Sequence, residues 1–340
     1  MSVSDHRMQL QRLRELSARL GSDPLLVQAS SGNTSIKLDG VMWIKASGKW
    51  LIQAEDTDFL VPISLADIRD SLRENQDPAE LSVSTRENRR ASVETAMHAV
   101  LPHAVVVHVH SVNAIAWSVR ADGPARLEKL LAGLRWRWIP YTPSGVALAR
   151  QIEKTLRDAP GTDVLILGNH GLVVCGADCE AAEGMLAELE RRLHIEPRPA
   201  PEPEFSGLRR YLEEDDWSLP VAAGVHALAT DHIARRILAG GVLYPCQAIF
   251  LPDSLPPLPL EDGNGRRHRR ELFRIVESQG VALNKSMTRA ERELLIGLAH
   301  VVQRIDGAAP VRYLTAGEIA GVLSDGAEKY RQAAEAAINQ

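Results

Sequence analysis

His108 and His110 stand two positions apart in the run AVVVHVH. Side chains at i and i+2 of a β-strand point to the same face, so these two imidazoles can share one metal ion. A third imidazole, His170, lies in the turn Gly168-Asn169-His170-Gly171 between two apolar runs. Three histidines with a fourth position open describe a catalytic zinc-type site, where water or substrate completes the coordination. Glu94 is the nearest acidic candidate, on the expected helix that feeds the His108 strand. A carboxylate beside a divalent ion can move a proton at a carbon next to a carbonyl. His98 and His103 fall in the same region, His98 on the Glu94 helix and suited to packing or to a place behind the ligands. Spacing alone leaves the choice among the five histidines open.

The second feature is Ser31-Gly32-Asn33-Thr34-Ser35, followed after a hairpin by Ala46-Ser47-Gly48. Small residues let backbone N–H groups approach an anion closely, Ser, Thr and Asn add donors, and Lys45 or Lys49 adds charge. The competing reading is a plain polar turn before a strand, and the pattern is neither a P-loop nor a dinucleotide fingerprint. Arg86, Arg89 and Arg90 read as a solvated helix face. Cys175, Cys179 and Cys246 are too few for a disulfide framework and fit no C-x-x-C pattern, so they read as reduced, mostly buried thiols.

The elements that must position these groups follow from periodicity. Leu13, Leu16 and Leu20 repeat at helical spacing between an N-cap candidate at Asp5 and a stop at Gly21. Two β-rich runs flank Asp39-Gly40, a dipeptide that suits a type I′ hairpin because both central residues need positive φ. Helices are expected at 90–100, 112–119, 124–133 and 144–157, a buried strand at AVVVHVH after Pro102, and a strand pair on either side of the His170 turn. ADCEAAEGMLAELERRLH is a helix with acids early and Arg and His late, matching the dipole. This N-terminal unit mixes strands and helices around one sheet.

The segment IEPRPAPEPEFSG holds four prolines and three glutamates, which excludes a helix interior or central strand. It divides residues 1–195, a metal-binding catalytic domain, from residues 207–340, with a linker at 196–206. Beyond it, helical patterns at about 220–239, 288–304 and 315–338 surround one strand candidate, QAIFLP (247–252), giving a mainly helical extension. Leu294, Leu295, Leu298 and Val301 favour plain packing there.

Composition bounds the partners. The 340 residues allow two domains or one large domain with an extension, at about 150 residues per domain. At 45% hydrophobic and 24% charged, the chain lies in the ordinary globular range. Lys and Arg total 39 against 44 Asp and Glu, a net charge of −5, which argues against a nucleic-acid surface. The charged, helical N-terminus is not a signal peptide, and no run reaches about 18 apolar residues. A soluble cytoplasmic protein without a membrane partner is expected.

Taken in order, S-G-N-T-S, K-A-S-G, S-V-E with Glu94, H-V-H and G-N-H-G over residues 29–176 resemble the class II aldolase/adducin family, of the L-fuculose-1-phosphate aldolase type. The resemblance implies an α/β fold, a three-layer α/β/α sandwich with a mixed, largely antiparallel central sheet, usually assembled as a homotetramer with sites between subunits. It implies Zn²⁺, or another divalent transition metal, on His108, His110 and His170, with Glu94 as acid/base. Gly32, Asn33, Ser47, Gly48 and Ser92 match positions that hold a substrate phosphate. Val93 replaces a second serine of the family and removes one hydroxyl donor. The family's proton-donating tyrosine has no obvious counterpart, and Tyr141 is nominated as the only tyrosine between the histidine pair and His170.

KASGKWL, SVETAMHAVLPH and EKYRQ further resemble the aldolase portion of bifunctional L-rhamnulose-1-phosphate aldolase/dehydrogenase proteins. No G-x-G-x-x-G follows a strand here, so a stand-alone lyase is expected. It would cleave a ketose 1-phosphate through a zinc-stabilised enediolate. The alternatives on the same site are 4-epimerase, dehydratase or sugar-acid decarboxylase chemistry. An adducin-like, non-catalytic module is the alternative of another class, and it predicts lost ligands.

Overall fold

Strands β1 (Asn33–Leu38) and β2 (Val41–Lys45) are joined by Asp39-Gly40, whose φ angles of 45° and 82° are those the tight turn demands. The computed structural model describes residues 3–84, 89–213, 216–251, 271–323 and 326–338. With β3 (Leu60–Ser64), β4 (Val105–Val109), β5 (Trp136–Ile139), β6 (Val164–Leu167) and β7 (Gly171–Gly176) they form a seven-stranded sheet of order β3-β2-β1-β4-β7-β6-β5. Every neighbouring pair is antiparallel except β5–β6.

Helices cover both faces, so the central strands carry apolar residues at successive positions. Val105, Val107 and Val109 face one way, onto Leu13, Leu16 and Leu20 of α1 (Val3–Gly21) and Leu186, Leu189 and Leu193 of α7 (Cys179–Leu193). Val106, Val173 and Cys175 face the other way. They meet Met97 of α3 (Thr95–Val100) and Leu148 and Ile152 of α6 (Val146–Asp158). Between these, α2 (Leu65–Arg73), α4 (Val112–Ser118) and α5 (Gly123–Leu130) complete the three-layer α/β/α sandwich.

Residues 194–205 have no helix or strand, and Arg198 pins this stretch. Its N–H donates to Gln303 O (2.9 Å), and its guanidinium bonds Asp231 (2.6 Å) and the Val302 carbonyl (2.9 Å). The C-terminal part is mainly helical: α8 (Arg209–Leu212), α9 (Ala227–Thr230), α10 (His232–Ala239), α11 (Pro245–Phe250), α12 (Arg289–Arg304), α13 (Ala316–Val322) and α14 (Gly326–Ile338). Leu294, Leu295, Leu298 and Val301 of α12 are buried in a core shared with Val112, Ile115 and Ala116 of α4.

Several expectations are corrected. Residues 247–250 of QAIFLP are helical, because Pro245 starts α11 and the Gln247 side chain accepts from Leu243 N; Pro252 lies outside the described residues. The expected 220–239 helix is interrupted at Asp231, whose carboxylate caps α10 at Ile233 N. A small sheet of β8 (Trp217–Ser218), β10 (Gly280–Asn284) and β9 (Phe273–Val276) supplies strands the pattern did not suggest. The 315–338 pattern is two helices, and Asp5 lies in the first turn of α1 rather than capping it. Arg89 and Arg90 are in coil and ion-paired, to Asp58 at 3.2 Å and to Glu80 at 2.5 Å, while Arg86 lies outside the described residues.

Candidate metal centre

The sheet register assembles the site. Asn33 pairs with His108 across β1–β4, and Val109 pairs with Leu172 across β4–β7. The second pairing carries the β6–β7 turn, and with it His170, to the end of β4, where His110 follows the strand. The ligand atoms of His108, His110 and His170 lie within 4.8 Å of one another, and all three residues are buried. The Nε2 atoms of His108 and His110 are 3.1 Å apart, and the ring centroids of the three are 4.9–5.1 Å apart. His108 Nδ1 bonds Leu172 O at 3.0 Å, which leaves Nε2 directed at the centre of the triad.

Glu94 arrives from the opposite edge, and not from within a helix. Ala91 bridges Ala46, Ser92 N donates to Lys45 O, and α3 starts only at Thr95. Those sheet contacts hold residues 91–92 extended and leave Glu94 at the N-cap. Its carboxylate stands 3.4 Å from His108 Nε2 and 3.3 Å from His170 Nε2. Asn33 Nδ2 donates to it at 2.7 Å and to Ser92 Oγ at 3.1 Å. Burial pushes the Glu94 carboxyl upward, but His108, His170, the Asn33 donor and His110 together hold it well below the usual carboxylate range.

A hydrogen-bonded chain supports this carboxylate. Because Asn33 Nδ2 faces Glu94, Asn33 Oδ1 must accept from His98 Nε2 (2.5 Å), and His98 Nδ1 then accepts from Ser35 Oγ (2.7 Å). Burial lowers His98 to about 3, so it is neutral at working pH. Burial likewise lowers His170 to about 4, and His110 well below its ordinary value. His103 sits apart, bonded to Asp163 at 2.9 Å. The structure thus brings His108, His110 and His170 together, puts His98 behind them, and leaves His103 outside.

Gly32 (φ 68°) and Gly48 (φ 78°) both take the left-handed backbone that glycine tolerates. Ser47 N donates to Arg90 O, and Ser92 Oγ accepts from Asn33 and from Glu94 N. Lys45, fully buried, donates to Ser30 O (2.5 Å) and Lys49 O (2.8 Å), and burial lowers it to about 7. Tyr141 lies with Val242, Ala248, Leu314 and Ile319, its ring 5.2 Å from the Arg312 guanidinium. Its loop reaches the site through Ser144, whose hydroxyl is 3.4 Å from Glu94.

Sequence reasoning missed several residues here. Cys246 Sγ lies 3.5 Å from His110 Nδ1, and burial raises its thiol to about 12. Arg312 Nη1 donates to Asn169 Oδ1 (2.8 Å), while Asn169 Nδ2 donates to Leu243 O and Arg312 O, which anchors the His170 turn. Tyr330 bonds Ser30. The sequence signals among these were Asn169, an Asn in a Gly-flanked turn that takes φ 53°, and Tyr330, which lies within the EKYRQ segment.

The profile of the family described as Class II Aldolase and Adducin N-terminal domain matches residues 11–196, more than half of the chain. The chain belongs to the class II aldolase and adducin family. Over 224 residues it is 28% identical to a Bacillus subtilis (strain 168) protein named Uncharacterized oxidoreductase YuxG, covering 61% of this chain and 32% of that protein. The chain therefore spans about a third of the length of the curated relative it matches. Similar solved structures include the N-terminal class II aldolase domain of a conserved Thermoplasma acidophilum protein (24% identity, 54% of this chain and 91% of that one, TM-score 0.48). Another is L-fuculose-1-phosphate aldolase from Thermus thermophilus (19%, 55% and 91%, TM-score 0.40). Among the described residues, no helix is long and apolar enough to cross a membrane.

Proposed function

We propose that this chain is a metal-dependent lyase that breaks or forms a carbon–carbon bond beside the carbonyl of a small sugar derivative. The observation that carries this reading is the position of Glu94, 3.4 Å from His108 Nε2 and 3.3 Å from His170 Nε2. Ligand atoms at about 2.0–2.1 Å from a tetrahedral ion stand about 3.3 Å apart. The separations here, 3.1 Å between His108 and His110 and 3.3–3.4 Å to Glu94, fit such an ion. His108, His110 and His170 would hold it, with Glu94 beside it, and three imidazoles suit Zn²⁺ while also suiting Fe, Co or Ni. Bound there, the dication supplies Lewis-acid stabilisation of the negative charge that develops beside a carbonyl.

The remaining work falls to the chain's own groups. Glu94 is held ionised by His108, His170 and Asn33, ready to take a proton. Once substrate separates it from His108 and His170, burial raises its proton affinity, so the same group can return the proton. The neutral chain Ser35–His98–Asn33 keeps the carboxylate oriented without adding a competing charge. A homotetramer belongs to this reading, with Tyr141 the nominated proton donor to the leaving aldehyde and a ketose 1-phosphate or sugar acid as substrate.

The test is metal content per chain by mass spectrometry, for wild type and for His108→Ala, His110→Ala and His170→Ala after identical dialysis. About one ion in wild type and a loss in each variant is expected. Glu94→Gln should keep the metal and lose about 10²-fold or more in turnover. A wild type that is metal-free and refuses added Zn²⁺, Mn²⁺ and Co²⁺ sinks the proposal.

A further inference from the structure

The two small-residue loops beside the triad have the makings of an anion cradle: left-handed glycines at 32 and 48, flanking hydroxyls and a lysine. The second of them is covered by α14, which also bonds Ser30 at the start of the first. A Cβ placed on Gly48 would lie 2.6 Å from Ala333 Cβ and 2.9 Å from the Ala333 carbonyl carbon, so α14 rests directly on the Ser47-Gly48 turn. Trp50 Nε1 donates to Ala334 O (2.8 Å), Gln53 Nε2 donates to Ala337 O (3.3 Å), and the Tyr330 hydroxyl donates to Ser30 O (3.0 Å). Trp50, Ala334 and Ala337 are buried by this contact, and the Arg289 guanidinium stacks over Trp50 at 5.0 Å. Lifting the helix would therefore expose apolar surface and break several hydrogen bonds together.

Two of the side-chain donors beneath, Lys45 Nζ and Asn33 Nδ2, are already engaged. The Lys45 ammonium serves two backbone carbonyls, Ser30 O and Lys49 O. Asn33 Nδ2 serves Ser92 and Glu94, and Ser92 Oγ accepts from both Asn33 and Glu94 N. A phosphate brings three strong acceptor oxygens and close to two negative charges, and it needs unengaged donors and open space to be desolvated.

We infer that α14 determines specificity at this site: it fills the anion cradle, so the substrate that reaches the histidine triad carries no phosphate. Such a substrate is an unphosphorylated polyhydroxy ketone or sugar acid, recognised through hydroxyl, carbonyl and carboxylate oxygens. This deepens the metal-lyase reading and rests on it, while departing from the ketose 1-phosphate that the sequence resemblance implies.

Two chelating probes test it on the zinc-loaded full chain by calorimetry: the hydroxamate of glycolic acid, and the same molecule phosphorylated on its hydroxyl. The expected result is two affinities within about threefold of each other and unchanged amide exchange in 326–338. A phosphorylated probe bound about 30-fold tighter or more overturns the inference, whether α14 stays protected or opens. In the double variant Trp50→Phe/Tyr330→Phe, exchange in α14 should accelerate and the phosphorylated probe should gain about tenfold over its partner. Faster exchange without that gain also overturns it. Should neither hydroxamate bind, the metal reading fails, and inorganic phosphate at tens of millimolar decides the inference on the metal-free chain. No slowing of exchange in 30–34 and 46–49 is expected, and slowing in the wild type refutes it.

Discussion

Replacing His98 by leucine breaks the chain that holds Glu94 while leaving every residue of the triad in place. Two buried groups lose their partners: Ser35 Oγ, which is fully buried, and Asn33 Oδ1. At about 1–3 kcal/mol for each unsatisfied buried group, the cost near neutral pH is about 2–6 kcal/mol. The cost should also depend on pH, with a sign that can be worked out. In the folded protein burial lowers His98 from 6.5 to about 3, so the unfolded chain binds more protons through that window and wild type loses stability as pH falls. By linkage the His98 contribution is close to zero at pH 7.5 and costs wild type about 2 kcal/mol at pH 5. Leucine cannot titrate, so its deficit relative to wild type should shrink by about 2 kcal/mol between those two pH values. Urea unfolding of both proteins, with chelator and at matched ionic strength, reads this directly. A deficit that is equal at both pH values, or that grows in acid, would refute the neutral His98 and with it the direction of the Ser35–His98–Asn33 bonds.

Lys45→Met bears on the base side. Burial lowers Lys45 from 10.5 to about 7, so above pH 7 the unfolded chain holds more protons and wild-type stability rises with pH. The variant should lack that rise, about 2 kcal/mol between pH 7 and 8.5 by urea unfolding. Gly171→Ala would bring a Cβ 2.6 Å from Val109 O and 3.3–3.4 Å from the His108 and His110 rings. About tenfold or weaker zinc affinity is expected in a chelator competition, and unchanged affinity would show that the rings need no such clearance. Arg312→Ala removes the donor to buried Asn169 Oδ1 and the partner of Glu318. A loss of about 1–3 kcal/mol is expected, accompanied by faster amide exchange in 168–171; exchange that stays slow would show that the two backbone carbonyls alone hold the turn.

How much of the centre was legible depended on how local its causes were. The hairpin at Asp39-Gly40 was legible because positive φ at two successive residues admits few sequences. Strand β4 was legible because a run buried on both faces must be apolar and β-branched. QAIFLP was misread because a short apolar run has no period of its own, and Pro245 at the helix start outweighed the β-branched residue within it. Glu94 was found as a residue and misplaced as an element, because the bridge between Ala91 and Ala46 is a long-range contact that delays the start of the helix to Thr95.

The sequence by itself determined the donor set: three histidines, a carboxylate and the glycine turns, whose chemistry belongs to the residue types and whose order carries the family. Spacing alone could not rank five histidines, since which imidazoles converge depends on register; the order of the family motifs pointed to His108, His110 and His170. Pairing Val109 with Leu172 brings His170 to His110, and Asn33 opposite His108 turns a polar loop into the support of Glu94. Only the tertiary structure decided that Cys246, Arg312 and Tyr330, 136, 143 and 300 residues from their partners His110, Asn169 and Ser30, close around the centre. Contacts at that separation leave no periodic trace in the chain, because they are selected by the packing of whole helices against the finished sheet.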